Sequence, residues 1–197
     1  MTSFDGLRYD AQVLGEYVYA APDPGVDAAD AAGLPTVHVR HERTAGTSLA
    51  TSATAVAVGV DGHSVEVYAR PTQQVRIDGE VVQVGDGEAV EVSPVLGLSR
   101  AGATYTVDTG RVTVAVSVTG GIVDLTVAAD EGSPLVGLLG TPNGSVADDL
   151  VTSDGTAYEL ADVLGHSAAL YDLTGSWRLA DPADSLLTRA YDGFDDG

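Results

Sequence analysis

Residues 140–150 read GTPNGSVADDL, and we expect the rest of the chain to be organised around this loop. The loop follows the apolar run 135–139, LVGLL, which is typical of a buried strand. The Asn143-Gly144 pair tolerates a left-handed backbone, so the chain can reverse sharply after that strand. The stretch therefore predicts a tight, acidic loop at the end of a buried strand.

The polar groups of this loop are oxygen donors. A sharp reversal would bring the amide oxygen of Asn143, a carbonyl near Ser145 and the carboxylates of Asp148 and Asp149 towards one point. Ca²⁺ takes roughly 6–8 oxygen ligands with flexible geometry, so these residues predict a calcium site. The alternative is a solvated acidic loop, because Asp and Asn are common in loops of every kind. Asn143 also begins a glycosylation sequon, and calcium ligation is the use that we favour.

Short β-branched segments recur along most of the chain, and Asp-Gly or Gly-Gly pairs separate several of them. Such pairs favour two-residue turns between antiparallel strands. Val or Ile alternates with polar residues, so one face of each sheet should be buried and the other should contact water. The sequence predicts an all-β fold, an antiparallel β-sandwich. We place strands at 7–11, 15–20, 36–41, 53–60, 64–68, 75–77, 81–84, 89–92, 105–107, 111–118, 122–127 and 156–160.

The C-terminal part differs from the rest in pattern. A short helix is expected over 167–173, because Leu170 and Leu173 fall on one helical face. Trp177 is the one Trp of the chain, and we expect it to pack this helix onto the sandwich. We therefore divide the chain into a sandwich domain over 1–180 and an acidic extension over 181–197.

Charge and composition exclude several functions. The formal net charge is −20, and the nine basic residues are all Arg. A chain of this kind has no patch that could neutralise the phosphates of nucleic acid or of an anionic membrane. No apolar run approaches the ~20 residues that a membrane-spanning helix needs. Met1 is not followed by a basic and then apolar stretch, so no signal peptide is visible.

Three segments resemble the von Willebrand factor type D domain. The stretch 137–156, GLLGTPNGSVADDLVTSDGT, resembles the motif GLCGNxxGxxxDDxxxxDG of that family. The N-terminal stretch 3–10, SFDGLRYD, resembles its opening TFDGxxYxF, and 175–179, GSWRL, resembles its closing SWxV. The three segments occur in the family's order, so the resemblance covers essentially the whole chain.

The resemblance implies a structural calcium ion and a set of ligands. It assigns the side chains of Asp5, Asn143, Asp148 and Asp149 and the backbone of Ser145. The family usually has a ligating Asn at one further position, where this chain has a threonine whose hydroxyl or carbonyl can substitute. That residue is Thr141. The chain has no cysteine, so core packing, calcium or both must replace the disulfides of eukaryotic members.

The resemblance also implies a function. We expect a non-catalytic structural or protein-interaction module of a larger secreted or cell-surface protein, whose partners are neighbouring domains or other extracellular proteins. An assembly module is the alternative, and the oligomeric state stays open. A hydrolase with an unrecognised site is a further alternative, for which the sequence singles out no group of residues.

Two motifs could suggest other chemistry. The triplet Asp108-Thr109-Gly110 matches that of aspartic proteases, but it lies between two predicted strands and is expected to be a hairpin turn. His38 and His41 are three residues apart on one predicted strand and should point to opposite faces. They do not form a metal pair, and we expect both at the surface or the rim.

Overall fold

The computed structural model describes residues 1–9, 11–44, 50–165 and 167–190, and within these ranges twelve strands form two antiparallel sheets. The strands are β1 Gly15–Pro22, β2 Thr36–Arg43, β3 Thr51–Val60, β4 His63–Tyr68, β5 Gln74–Ile77, β6 Glu80–Val82, β7 Ala89–Ser93, β8 Leu96–Ala101, β9 Thr104–Asp108, β10 Val112–Thr119, β11 Ile122–Ala129 and β12 Leu135–Val136. The α-helices are α1 Ala28–Ala31, α2 Leu160–Gly165 and α3 Ser167–Ser176. Short 3-10 helices cover Val146–Asp148 and Pro182–Asp184.

The first sheet has seven strands in the order β12-β1-β2-β3-β4-β5-β6, and the second has five in the order β11-β10-β9-β8-β7. From β2 to β6, and again from β7 to β11, each strand pairs with the next one along the chain. β12 returns to the first sheet and pairs with the end of β1. This return places the loop that begins at Gly140 beside the N-terminal segment, and the predicted all-β sandwich is confirmed.

The Asp-Gly turns have the backbone that their sequence predicts. Asp61 and Asp78 have a φ of 51°, and the glycines that follow them have φ values of 83° and 80°. Positive φ at both central residues is the geometry that joins strands in tight hairpins. The hairpins β3–β4 and β5–β6 are thereby fixed in register.

The hydrophobic core lies between the two sheets. Val37 and Val39 of β2 and Val114 and Val116 of β10 are essentially inaccessible to solvent. Burying a valine or leucine side chain contributes about 1.5–3 kcal/mol before the entropic cost of folding. Since dozens of residues of the described part share this core, packing between the sheets is the main source of stability in a chain without cysteine.

Three strand predictions differ from the structure. Residues 7–11 were expected to form a strand, but the described residues of this stretch, 7–9 and 11, have one isolated bridge, between Thr2 and Arg8. The expected strand over 156–160 is reduced to a bridge between Val151 and Ala157, after which α2 begins. β8 was not predicted, because Pro94 and Gly97 interrupt the β-branched pattern on which the prediction depended.

A strap of five residues covers the centre of the outer face of the first sheet. This C-terminal strap, residues 185–189, crosses from β1 to β5. The outer face was expected to contact water, and that expectation is wrong here because the strap buries it. The side chains buried beneath the strap are those of Glu16, His38, Arg40, Ala55, Ala57, Glu66 and Tyr68.

Polar contacts hold the strap. Glu16 forms a 2.7 Å ion pair with Arg40 and accepts a hydrogen bond from the hydroxyl of Ser185. The carboxylate of Glu66 accepts hydrogen bonds from the backbone nitrogen of Thr188 at 2.8 Å and from its hydroxyl at 2.9 Å. A buried carboxylate is costly unless it is hydrogen-bonded, so the strap satisfies the two acidic side chains that it covers.

Both histidines of β2 are buried, so the prediction that they lie at the surface or the rim is wrong. His38 lies under the strap, where its Nδ1 accepts a hydrogen bond from the backbone nitrogen of Leu186 at 3.1 Å. His41 lies on the opposite face, as expected, with its Nε2 2.7 Å from the hydroxyl of Tyr19. Burial lowers the pKa of each imidazole to about 4.

The C-terminal helix packs as expected. The predicted helix over 167–173 is confirmed as α3, and Leu173 is buried. Trp177 packs against the core, and its ring nitrogen donates a hydrogen bond to the carbonyl of Val151 at 2.9 Å. The division at residue 180 stays a prediction. Residues 185–189 nevertheless lie against the sandwich, and residues 191–197 of the expected extension are outside the described ranges.

Candidate functional site

Two glycines set the start of the 140–150 loop. Gly137 has a φ of +146°, and a Cβ atom at this position would lie 2.5 Å from the carbonyl oxygen of Tyr19. The close approach lets Leu138 and Leu139 donate hydrogen bonds to the backbone of β1 at 3.1 and 3.0 Å. A Cβ atom at Gly140 would lie 2.8 Å from the Cα of Asp149. The loop can close on itself only because both positions lack a side chain.

The N-terminal segment is held against the same strand end. The backbone nitrogen of Phe4 donates to the carbonyl of Leu139 at 2.8 Å, and the hydroxyl of Tyr9 donates to the carbonyl of Leu138 at 2.5 Å. Ser3 accepts a hydrogen bond from the backbone nitrogen of Leu7 at 2.9 Å, which fixes a tight turn. These contacts carry Asp5 to the tip of the acidic loop.

Asp5 contacts the loop through backbone hydrogen bonds. Its Oδ1 accepts from the nitrogen of Gly144 at 3.1 Å, and its Oδ2 accepts from the nitrogen of Ser145 at 2.9 Å. Asn143 closes the same turn, because its Oδ1 also accepts from the nitrogen of Ser145, at 2.8 Å. The Asn143 Nδ2 donates to Asp148 at 2.6 Å, so its amide is engaged on both sides.

Asp149 is the buried acidic residue of the site. Its residue surface is 2% exposed, and its Oδ2 accepts a 2.5 Å hydrogen bond from the hydroxyl of Ser3. Its Oδ1 is buried and accepts no hydrogen bond of good geometry from the described residues, although the backbone nitrogen of Thr141 is close enough to the carboxylate to affect its pKa. Burial raises the pKa of this carboxyl, and the charges of Asp5 and Asp148 add to that shift. The hydroxyl of Ser3 and the backbone N–H of Thr141 oppose it. Asp149 is therefore an acidic group that lacks a compensating positive charge.

The structure brings all six predicted site residues to one region. Asp5, Asn143, Ser145, Asp148 and Asp149 are linked by the contacts given above, and Thr141 begins the loop half-buried, with its carbonyl accepting from the Asn143 nitrogen at 2.9 Å. Sequence reasoning missed Ser3 and Tyr9. The sequence signal for these two residues was their position, because both lie in the N-terminal motif, on either side of Asp5.

Cation ligation needs a different arrangement of these side chains. Within the described ranges, no three His, Cys, Asp or Glu side chains are placed as a metal site. The oxygens of Asp5 face backbone N–H groups, and Asp148 faces an amide N–H group. The chemistry of the donors nevertheless fits Ca²⁺, because every predicted ligand atom is an oxygen and the buried Oδ1 of Asp149 accepts no hydrogen bond of good geometry from the described residues.

The protease-like triplet is a turn, as expected. Asp108 ends β9, and its Oδ1 accepts a hydrogen bond from the nitrogen of Gly110 at 2.8 Å. Gly110 has a φ of +76°, and β10 begins two residues later. The carboxylate thus stabilises a hairpin turn by a local hydrogen bond to the backbone.

The fold and the site together define a class of protein. The chain is a two-sheet β-sandwich whose N-terminal segment is fixed to an acidic loop more than a hundred residues later. The family model of the von Willebrand factor type D domain matches residues 1–156, so the chain belongs to that family. The comparison with curated proteins gives no match. The family match ends before Trp177, so the resemblance of 175–179 to the closing motif stays a prediction.

Family membership indicates what domains of this type generally do. Domains of this type are typically extracellular, act as protein-interaction and assembly modules, and are generally non-catalytic. Leu139 stands at the position of the cysteine in the motif GLCG, and it is buried in the core. None of the described helices is long and apolar enough to cross a membrane.

Proposed function

We propose that this domain is a non-catalytic extracellular interaction module whose fold is stabilised by one bound Ca²⁺ ion. The single observation that carries the calcium proposal is the buried Oδ1 of Asp149, which accepts no hydrogen bond of good geometry from the described residues. An ionised carboxylate that is buried and incompletely hydrogen-bonded is costly, and a bound cation would remove that cost.

The surrounding charges support the same proposal. Asp5 and Asp148 act on Asp149 through their negative charges, and the whole chain carries a net charge of −20. The proposed ligands are the side chains of Asp5, Asn143, Asp148 and Asp149, together with backbone or hydroxyl oxygens of Thr141 and Ser145. Ligation would turn the amide oxygen of Asn143 towards the ion and release Asp148 from its hydrogen bond with that amide.

Calcium would act as a cross-link. It would join Asp5 to a loop that lies 140 positions later, and constraints on long loops reduce the entropy of the unfolded chain most. Extracellular calcium modules have Kd values of about 10⁻⁴–10⁻³ M. At a free calcium concentration about 100 times Kd, binding would add roughly 2.7 kcal/mol to the free energy of unfolding.

The test is a thermal melt of chelator-treated protein in buffer, in a few millimolar CaCl2 and in the same concentration of MgCl2, with metal analysis of the untreated protein. We expect a rise in Tm with calcium and little change with magnesium. Identical melting curves in all three buffers, together with no heat of calcium binding in a calorimetric titration, would overturn the calcium proposal.

We further propose that the domain is secreted or displayed at the cell surface and contacts neighbouring domains or other extracellular proteins. The family supports this location, and extracellular calcium concentrations suit the affinity proposed here. Expression of the parent protein in its own cells, followed by fractionation and by protease treatment of intact cells, tests the location. Recovery of the domain only from the protease-protected cell interior would contradict it.

A further inference from the structure

The second sheet ends in a strand with one free edge. β11 pairs with β10 along its whole length, from Ile122 opposite Thr119 to Ala129 opposite Val112. On its other side, the described part of the chain provides no pairing strand. Eight residues make a long edge, and exposed edges of this length are templates for the addition of another strand.

The register shows which backbone groups face outwards. The nitrogen of Val118 in β10 donates to the carbonyl of Ala103, on the β9 side. In an antiparallel ladder the direction of these groups alternates, so Val118 and Val116 bond towards β9 and Ser117, which lies between them, bonds towards β11. Leu125 lies opposite Val116 and therefore has no bond to β10.

By the same alternation, Val123 and Val127 also direct their N–H and C=O groups away from β10. No described residue hydrogen-bonds to these groups. Val123 is buried, whereas Leu125 and Val127 are half-buried and pack against the core. Val123, Leu125 and Val127 thus each direct their backbone N–H and C=O groups away from β10 and their apolar side chains towards the core.

A cleft of about 550 Å³ runs beside this edge. One wall is residues 123–127 of β11, and the other includes the N-terminal segment. Apolar side chains from between the sheets contribute to the lining. The apolar residues that face the β11 wall are Met1, Phe4, Tyr19, Val39, Ala53 and Leu139. A strand added to β11 would therefore place alternate side chains next to an apolar surface.

We propose that the free edge of β11 binds an extended peptide segment of a partner protein by strand addition. Main-chain hydrogen bonds to Val123, Leu125 and Val127 would hold the peptide, and its alternate apolar side chains would enter the cleft. The residues between them would be basic or neutral, since Asp124 is exposed on this strand and the domain is strongly acidic. This inference rests on the proposed interaction role and specifies the partner.

Charge argues against a second copy as the occupant. Two β11 strands paired edge to edge would each present Asp124 at the interface, and each domain carries a net charge of −20. Like charges disfavour such pairing and suppress self-association. A basic, apolar peptide meets neither obstacle, so electrostatic attraction and apolar burial act together.

The probes are four fluorescent heptapeptides that alternate Lys or Thr with one apolar residue type, namely Val, Ile, Leu or Phe. Two controls match each probe. The first control carries N-methyl groups on alternate residues, which removes the N–H donors along the edge of the peptide that would pair with β11. The second control replaces Lys with Glu. Fluorescence anisotropy gives affinity, and amide NMR shifts locate the site. We expect the probes to bind with amide shifts confined to residues 122–128 and the cleft. We expect the affinity of both controls to be at least tenfold weaker.

The protein variant is Leu125→Pro, because the nitrogen of Leu125 has no partner in the ladder and proline is tolerated at such edge positions. We expect at least a tenfold loss of peptide affinity with an unchanged circular dichroism spectrum. Val127→Pro is the second variant should the first fail to fold. Equal binding of parent and N-methylated peptides, shifts elsewhere, or no binding at millimolar peptide would overturn the proposal.

Two further measurements distinguish the strand-addition proposal from self-association through β11 and from the calcium proposal. Light scattering without peptide that shows dimers, with NMR shifts at β11, would assign the edge to a second copy and overturn the peptide partner. Binding is measured in calcium and in chelator. Peptide binding without any calcium effect on Tm would contradict the calcium proposal alone, and a calcium effect without peptide binding would contradict the strand-addition proposal alone.

Discussion

The carboxylate of Asp5 accepts a hydrogen bond from the backbone nitrogen of Ser145 at 2.9 Å, although 140 positions separate the two residues. The adjacent nitrogen of Gly144 donates to the same carboxylate at 3.1 Å. The N-terminal segment is thereby fixed to the acidic loop, and it forms one wall of the cleft beside β11. The candidate metal site and the candidate binding edge share this segment.

Asp5→Ala and Asp149→Ala should each lower Tm more in calcium than in chelator. Both remove a proposed ligand, so both remove the stabilisation that calcium binding adds. In chelator, loss of Asp149 also removes a buried charge without a cationic partner, which offsets part of its structural cost. Differential scanning fluorimetry in the two buffers measures the effect.

Ser3→Ala is the matched control for these variants. Its hydroxyl contacts Asp149 at 2.5 Å but is not a proposed ligand. We expect a loss of about 1 kcal/mol that is similar in both buffers, as for an ordinary hydrogen bond. Equal losses in calcium and chelator for Asp5→Ala and Asp149→Ala would show that these residues act structurally and do not ligate a metal.

Gly137→Ala should destabilise the fold by at least about 3 kcal/mol, because the φ of +146° is strained for alanine and the new Cβ atom would meet the backbone of Tyr19. The control is Gly87→Ala, which has a φ of +77° and no heavy atom within 4 Å of the new Cβ. That variant should cost about 1–2 kcal/mol. Urea unfolding measures both, and similar losses would contradict the close packing at Gly137.

Leu187→Ala should lower the free energy of unfolding by about 2–3 kcal/mol, because it removes a buried side chain of the strap. Leu164→Ala is the control, since Leu164 lies in α2 and is 65% exposed. A surface change of that kind should stay within about 0.5 kcal/mol. If the two variants have the same unfolding midpoint, the strap does not contribute to the stability of the domain.

Stability should fall as pH falls from about 7 to 5. Burial lowers the pKa of His38 and His41 to about 4, and the unfolded imidazoles titrate near 6.5. The unfolded chain therefore binds more protons, and the stability present above pH 6.5 is lost as pH falls towards 4. A shift from 6.5 to about 4 corresponds to about 3 kcal/mol for each group at most.

Urea unfolding at pH 7, 6 and 5 measures this dependence. His38→Asn keeps an acceptor for the nitrogen of Leu186 and removes the titrating group, so the loss between pH 7 and 5 should shrink. His41→Phe should act in the same direction. His63→Gln is the comparison outside β2, because the side chain of His63 is 43% exposed. An unchanged slope in the first two variants would show that these imidazoles bind protons at the same pH in the folded chain as in the unfolded chain.

Much of the strand arrangement could be predicted from local sequence. Asp61-Gly62 and Asp78-Gly79 determine hairpin turns through the backbone that they tolerate, and alternating valines between them identify the buried face. β8 escaped the prediction because Gly97 stands where a β-branched residue would have continued the pattern. The ends of the strands could therefore be predicted where the sequence contains a recognisable turn pair such as Asp-Gly.

The strap could not be predicted from the pattern of single strands. Glu66 and His38 alternate with valines, which indicates a solvated outer face when the strand is considered alone. Whether a distant segment covers that face depends on tertiary contacts, here with Thr188 and Leu186. The two histidines of β2 were misplaced for this reason, since burial of a polar side chain leaves no local signal.

The sequence motifs could predict that the residues of the candidate site lie in one region, but they could not predict the geometry of the side chains there. The acidic loop and Asp5 are neighbours, as the family motifs implied. Three features could be seen only in three dimensions. They are the hydrogen bond from Asn143 to Asp148, the contact of Ser3 with Asp149 and the incomplete hydrogen bonding of the buried Asp149 Oδ1. Sequence spacing can place ligands in one region, but the rotation of an amide or carboxylate depends on all its neighbours.

The strap also determines how the domain would respond to mechanical load. It crosses the strands of the first sheet, so tension on the chain beyond Arg189 would detach its contacts one after another, beginning with the hydrogen bond from that residue to Tyr68 at 3.0 Å. The ladder between β2 and β3 would not yet be loaded. Pulled from this end, the domain would lengthen first by release of the strap, leaving both sheets intact and newly exposing the carboxylates of Glu16 and Glu66 to solvent. Optical-tweezers extension traces would show this release as a short step before the main unfolding event.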